Sequence, residues 1–172
     1  MAAPTQPAGV SAPDLEQIFR DNHAMVFRAA YRITGNPTDA EDVLQTVFLR
    51  LLRRDSRSGP LENPEGYLRR AAVNAALDVI RSRQTDATIP LSDQTPARMQ
   101  PDVSSLRQTL ARAIAQLKPR PAEIFTLRFI EGLSNQEIAE MLGISQVLVA
   151  VIVHRTRQQL RKQLRPYLGE RS

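Results

Sequence analysis

The sequence contains no cysteine and only two histidines, and aromatic residues make up 5% of it. Without cysteine the chain has no disulfide, no thiolate zinc site and no cysteine nucleophile. His23 and His154 are far apart and have no carboxylate pattern around them, so each is better interpreted as a solvated or core histidine than as a metal ligand. The sequence also has no glycine-rich phosphate loop and no nucleophile–base pair. We therefore expect a protein that is not an enzyme and that uses no metal and no cofactor.

Long hydrophobic runs are also missing. The longest one covers residues 147–153, and these seven residues are too few for a membrane-spanning helix, which needs about 20. The first thirteen residues, MAAPTQPAGVSAP, have neither a basic nor an apolar segment, so they are typical of a disordered tail and not of a signal peptide. We expect a cytoplasmic protein without membrane insertion.

The net charge of +5 is unevenly distributed along the chain. Residues 104–172 contain 11 lysines and arginines against five acidic residues, whereas residues 1–103 contain 12 against 13. This basic excess indicates a polyanionic partner for the C-terminal half. Taken alone, the charge is equally compatible with a solvated helix face.

Apolar residues recur at spacings of three and four through most of the chain, which predicts an all-α protein. Residues 14–34 form the first such stripe. The sequence TDAE at residues 38–41 is typical of a capping box and predicts a second helix with Thr38 as its N-cap and an apolar stripe that includes Leu52. Asn63 followed by Pro64 predicts the start of a third helix. Its stripe leaves a polar, mostly basic outer face: Arg69, Arg70, Asn74, Asp78, Arg81 and Arg83.

Residues 84–103 contain three prolines and no helical period, which indicates a linker between two small helical domains. The predicted divisions are a disordered tail at 1–13, a first domain at 14–83, the linker at 84–103 and a second domain at 104–168. A short helix at residues 122–130 is expected after a break at residues 119–121.

The second domain ends in a pattern typical of a helix-turn-helix. A capping box, SNQE at residues 134–137, opens a helix that closes at Gly143, and Ser145 caps the next helix. A core register of Val149, Val153, Thr156 and Leu160 turns four apolar side chains outward: Leu148, Ala150, Val151 and Ile152. Four basic residues follow and are suited to phosphate contact: Arg155, Arg157, Arg161 and Lys162. The pattern alone is equally typical of a helical hairpin that only packs.

From Leu15 to Leu164 the chain resembles the extracytoplasmic-function (ECF) class of bacterial sigma factors. AEDVLQTVF resembles the most specific motif of their core-binding domain, and NPEGYLRRAAVNAALDVIR resembles the segment that faces the minus-ten promoter element. The segment LKPRPAEIFTLRFIEGLSNQEIAEMLGIS is similar to their domain for the minus-thirty-five element.

The resemblance implies a promoter-specificity subunit with three partners, namely core RNA polymerase, promoter DNA and an anti-sigma factor. It implies that polymerase binds Asp39, Asp42, Gln45 and Arg50. The melted minus-ten strand would contact Arg69, Arg70, Asn74 and Arg81, with a pocket for unpaired bases in the loop at residues 55–63. The minus-thirty-five contacts would come from Ser145 and the outward apolar and basic residues of the last helix.

The chain departs from the ECF pattern at one residue and along one helix. Tyr67 stands where a tryptophan is common, which keeps an aromatic ring. The recognition helix carries apolar residues where the family usually has basic and polar ones, so we expect weak, A·T-biased reading of the minus-thirty-five element, or docking of a protein on this face. An alternative function is a stand-alone helix-turn-helix regulator or protein-interaction module, although such a protein needs no DxxQ helix in its first half.

Overall fold

The computed structural model describes residues 12–54, 61–87 and 103–167. These ranges contain seven helices and no strand: α1 (Ala12–Thr34), α2 (Pro37–Leu52), α3 (Pro64–Ala87), α4 (Val103–Ala115), α5 (Pro119–Phe129), α6 (Asn135–Leu142) and α7 (Gln146–Leu164). The tail predicted at 1–13, the loop pocket predicted at 55–63 and the linker predicted at 84–103 lie largely outside the described residues. Helix α1 begins at Ala12, inside the predicted tail, and α3 extends to Ala87, inside the predicted linker.

The first three helices pack on one another around a core rich in alanine. Ala29 and Ala30 of α1 and Ala72 and Ala76 of α3 are fully buried. Small side chains allow the two helix backbones to approach closely. The larger residues of this core are also buried: Val26, Val43, Val47, Leu51 and Leu68.

The start of α2 differs from the prediction. Asn36, and not Thr38, is the N-cap, and its side-chain Oδ1 accepts hydrogen bonds from the Thr38 N–H at 2.8 Å and the Asp39 N–H at 3.2 Å. Pro37 occupies the first helical position, where its missing N–H costs no hydrogen bond. The predicted capping box therefore lies inside the helix. Leu52, predicted to belong to the apolar stripe, is 59% exposed.

The last four helices form a second core in which Ile124, Leu127, Ile138 and Val149 are fully buried. α5 begins at Pro119, three residues earlier than predicted, because a proline in the first turn starts a helix as readily as it interrupts one. Helix α6 has the predicted capping box. The Ser134 Oγ accepts from the Glu137 N–H at 3.2 Å, while Glu137 accepts from the Ser134 N–H at 2.7 Å.

Helix α3 contacts α1 and α2, with which it forms the first half of the molecule. It also contacts α4 and α5 of the second half. This double contact explains why Val73 and Leu77, which fall outside the predicted stripe, are buried. No single helix in the described ranges is long and apolar enough to cross a membrane. Helices α6 and α7 together are long and apolar enough, but they are bent by 113° relative to each other.

Candidate nucleic-acid interface

Helices α6 and α7 have the geometry of a helix-turn-helix. They are bent by 113° relative to each other, within the range of about 90–120° that is typical of this motif. Gly143 ends α6 in the left-handed conformation, with φ of 63°, and its N–H bonds back to the last turn. Ser145 then caps α7, because its Oγ accepts from the Leu148 N–H at 3.2 Å. The turn therefore consists of three residues.

The exposed face of α7 agrees with the predicted register in three of four positions. Val149 is fully buried, whereas Leu148 is 45% exposed, Val151 is 39% exposed and Ala150 is exposed. Ile152 is the exception. It is half-buried, because it lies next to the buried residues Val149 and Thr156 of α7 and packs against the core.

Val147 is a further exposed apolar residue at this end of α7, and it is the most exposed of them at 73%. It was not among the predicted DNA contacts. Its exposure could have been predicted from its position in the first turn of α7, before Val149, which is the first buried residue of the helix. No earlier turn of α7 is present to cover it. Ser145 and the four basic residues of the last turns are also exposed: Arg155, Arg157, Arg161 and Lys162.

The polar face of α3 is not the open surface that the sequence predicted, because α5 packs against it. The Arg70 Nε donates to Glu123 Oε1 at 2.6 Å, and the Asn74 amide donates to the same oxygen at 2.9 Å. The Arg120 guanidinium of α5 donates to the other oxygen of Glu123 at 3.1 Å. The Glu123 side chain is only 5% exposed. Periodicity could not indicate this contact, which joins residues 53 positions apart.

Glu131 makes a second contact with the same face. Its carboxylate accepts from Arg69 of α3 at 3.0 Å and from Arg32 of α1 at 3.4 Å, and its side chain is 1% exposed. Arg69 also donates to Glu65 at 2.7 Å. Arg81, the fourth predicted DNA contact of α3, lies further along the helix and pairs only loosely with Asp78, at 3.5 Å.

The pKa of Glu123 reflects a balance between burial and cationic neighbours. Burial is the largest single influence and raises the pKa. The hydrogen bonds from Arg70 and Asn74, together with the positive charges of Arg70 and Arg120, outweigh it and hold the pKa below its ordinary value of 4.5. The carboxylate is therefore charged at neutral pH and competes for the donors of α3.

The predicted polymerase-binding face of α2 is open at three of its four positions. Asp42, Gln45 and Arg50 are exposed. Asp39 is instead turned towards α3, where it forms an ion pair with Arg83 and its side chain is 18% exposed. Its place in the first turn of α2, next to α3, removes it from the outer face. Leu49 and Leu52 are exposed near Arg50 and add an apolar component that the sequence analysis did not assign.

Comparison with known proteins places both halves in one family. Residues 18–85 match Sigma-70 region 2, and residues 107–160 match Sigma-70, region 4. The chain is 36% identical over 153 residues to RNA polymerase sigma factor CarQ of Myxococcus xanthus, covering 87% of this chain and 88% of CarQ. It is 34% identical over 167 residues to ECF RNA polymerase sigma factor SigE of Mycolicibacterium smegmatis, covering 92% of this chain and 64% of SigE.

This chain is an ECF sigma factor. It therefore belongs to a family of transcription initiation factors, and the match of its first half to region 2 disfavours the alternative of a stand-alone helix-turn-helix regulator. A solved structure, that of the sigma factor RpoE in complex with the anti-sigma factor NepR from Bartonella quintana, has the same fold. Its TM-score is 0.53 at 19% identity, and the match covers 93% of this sigma factor and 100% of that chain. Within residues 12–54, 61–87 and 103–167, no three His, Asp or Glu side chains are grouped closely enough to hold a metal ion.

Proposed function

We propose that this sigma factor binds core RNA polymerase through α2 and directs it to promoter DNA through α3 and α7. The first domain, at residues 14–83, would bind polymerase and the minus-ten element, and the second, at residues 104–168, would bind the minus-thirty-five element. Polymerase and chromosomal DNA are cytoplasmic, so the protein acts there, and its ECF membership supports an anti-sigma factor as a further partner.

The α2 surface is suited to a protein partner that is itself polar. Asp42, Gln45 and Arg50 supply charged and amide groups, and the neighbouring Leu49 and Leu52 supply apolar area. An interface with a small apolar centre and a polar rim can be specific without making the free protein aggregate. Asp39 is a minor contributor, because its carboxylate already pairs with Arg83.

Helix α3 supplies the groups for the melted strand. Arg69, Arg70 and Arg81 can each donate to phosphate, and the amide of Asn74 can donate to and accept from a base edge. Opening a duplex costs about 1.4 kcal/mol per stacked step, so a protein that uses no ATP favours the open state by binding unpaired bases.

Helix α7 supplies an apolar reading surface. Leu148, Ala150 and Val151 can contact thymine methyl groups in the major groove, but they cannot form the bidentate hydrogen bonds that discriminate bases by about 1–3 kcal/mol each. Ile152 contributes through its exposed part only. Sequence preference at the minus-thirty-five element is therefore weak and biased to A·T, while the basic residues that follow supply salt-sensitive affinity for phosphate.

The observation that carries this proposal is the orientation of α7, with Val149 buried and Leu148 and Val151 exposed next to a capped turn. The test is transcription of fragmented genomic DNA by core polymerase with and without this protein. Sequencing of the transcript starts should yield one set of promoters that depends on the protein. If added protein neither binds core polymerase nor changes the starts, the proposal is wrong.

A further inference from the structure

The arrangement of the two halves is incompatible with simultaneous contact to both promoter elements. The minus-ten and minus-thirty-five elements are centred about 25 base pairs apart, or about 85 Å at 3.4 Å per pair. A compact chain of 172 residues has an expected radius of gyration of about 16 Å and a diameter of about 40 Å. The two halves must therefore separate before the proposed function can be carried out.

Within the described residues, three groups of side-chain hydrogen bonds join the halves, in addition to the packing of α3 on α4 and α5. Glu123 and Glu131 accept from residues of α3, as described above. Arg107 of α4 donates to the carbonyl oxygens of Tyr31 and Arg32 at the end of α1, each at 3.1 Å. The Gln84 amide of α3 donates to the Arg112 carbonyl of α4 at 2.8 Å.

The first group of contacts falls on residues assigned to DNA. Arg69, Arg70 and Asn74 are three of the four α3 residues proposed to contact the melted strand, and carboxylates of the other half hold all three. Carboxylate and phosphate oxygens compete for the same guanidinium donors, since both accept charge-assisted hydrogen bonds.

We propose that Glu123 and Glu131 form an intramolecular latch that occupies the DNA-facing donors of α3 and keeps the free sigma factor from binding promoter DNA. The inference rests on the proposed function of α3 and adds a regulatory step to it. The latch can be released by exchange of partners, because phosphate oxygens offer the same guanidinium donors equivalent charge-assisted hydrogen bonds. A partner that binds the separated halves, such as core polymerase, then shifts the molecule towards the open form.

The first experiment measures separation of the halves in the full chain without polymerase or DNA. The protein has no cysteine, so Ala24→Cys and Gln159→Cys, at exposed positions of α1 and α7, accept a donor and an acceptor dye specifically. The latch variant is Glu123→Gln with Glu131→Gln. The matched control is Glu16→Gln with Glu41→Gln, which makes the same two substitutions at exposed positions of α1 and α2.

Energy transfer should fall in the latch variant and stay at the wild-type level in the control. Unchanged transfer in both variants overturns the latch. Circular dichroism verifies that the latch variant is folded. If it is not, Arg107→Gln offers a second route, because it removes a different contact between the halves, and its transfer should also fall.

The second experiment measures binding of a fluorescein-labelled, 20-nucleotide single strand of random sequence to the same proteins. An apparent affinity is reduced by the fraction of molecules in the competent state, so we expect the latch variant to bind roughly tenfold more tightly than wild type. The control should bind at most about twofold more tightly, from charge alone. Measurable but equal affinities of the two variants overturn the latch. If transfer falls but no variant binds the strand, the latch stands and the DNA role proposed for α3 fails.

Discussion

Val149 and Val151 lie two residues apart on α7, yet the first is fully buried and the second is 39% exposed. The difference follows from helical geometry, in which residues two apart point about 200° away from each other. The same substitution at these two positions should therefore have opposite consequences.

We predict that Val151→Arg leaves the protein folded and alters promoter preference. A surface substitution typically changes the free energy of unfolding by less than about 0.5 kcal/mol. The new guanidinium, at the reading end of α7, can donate to phosphate or to guanine. Transcript sequencing and thermal unfolding of the variant supply the two measurements.

The matched control is Val149→Arg, which places an unpaired charge in the core and should destabilise the C-terminal half by more than about 3 kcal/mol. If Val151→Arg lowers the helical signal as much as Val149→Arg does, then Val151 does not belong to an exposed reading face.

For the polymerase-binding face, we predict that Asp42→Arg with Gln45→Ala abolishes co-purification with core RNA polymerase without unfolding the chain. Both side chains are exposed on α2, so the effect must come from the partner. The control, Asp21→Arg with Gln17→Ala, makes the same changes at exposed positions of α1. Retention of polymerase by the α2 variant would remove the role proposed for this face.

For the start of α2, we predict that Asn36→Ala lowers the free energy of unfolding by about 0.5–2 kcal/mol, the usual effect of losing an N-cap side chain. Thr38→Ala, on the exposed side of the first turn, should have an effect below about 0.5 kcal/mol. Urea denaturation of both variants gives the comparison. A larger loss for Thr38→Ala than for Asn36→Ala would restore the capping box that the sequence suggested.

The pKa of Glu123 predicts how pH affects the contact between the halves. Contact with Arg70 and Asn74 of α3 and with Arg120 of α5 lowers this pKa, so the charged carboxylate stabilises the closed form. That stabilisation is complete above the ordinary value of 4.5 and is lost as the pH falls through the lowered pKa. Energy transfer between the two dyes should therefore be constant from neutral pH to about 5 and fall below 4.5. Glu123→Gln should remove part of this dependence, and an identical profile in that variant would contradict the assignment.

For the basic residues of α7, we predict a change in the salt dependence of binding to double-stranded promoter DNA. Each phosphate contact contributes about 0.9 to the slope of log affinity against log salt concentration. Arg155→Ala with Arg157→Ala should lower that slope by about 1.8 if both contact phosphate. Arg28→Ala, at an exposed position of α1, should leave it unchanged.

Local signals in the sequence were sufficient for most of the fold. The capping box of α6, the cap at Ser145 and three of the four core positions of α7 were predicted correctly, because each depends on residues within one or two turns. Val153, the fourth predicted core position, is half-buried. The start of α2 was predicted wrongly, since Asn36 and Thr38 are both good N-caps. Pro37 decides between these two N-caps, because a proline fits the first helical position and the residue before it, Asn36, then becomes the cap.

The candidate site was predictable only where it depends on one helix. The apolar face of α7 follows from its register, but Ile152 is half-buried because neighbouring helices reach it. The covering of Arg69, Arg70 and Asn74 could not be predicted, because Glu123 and Glu131 lie 49 to 62 residues further along the chain. A periodic pattern reports which face of a helix is apolar and does not report which polar face another helix covers.

The distance along the chain between Arg70 and Glu123 also sets an order of events on the ribosome. At about 5–20 residues per second, the 53 residues that separate them take about 3–10 s to synthesise. During that interval the nascent first domain has α3 without its covering carboxylates. Strand binding by ribosome-stalled chains that end before Glu123, compared with binding by the completed and released chain, would measure the difference. A newly made molecule thus passes once through a stage of unrestrained α3 donors, and the rate of translation determines how long that stage lasts.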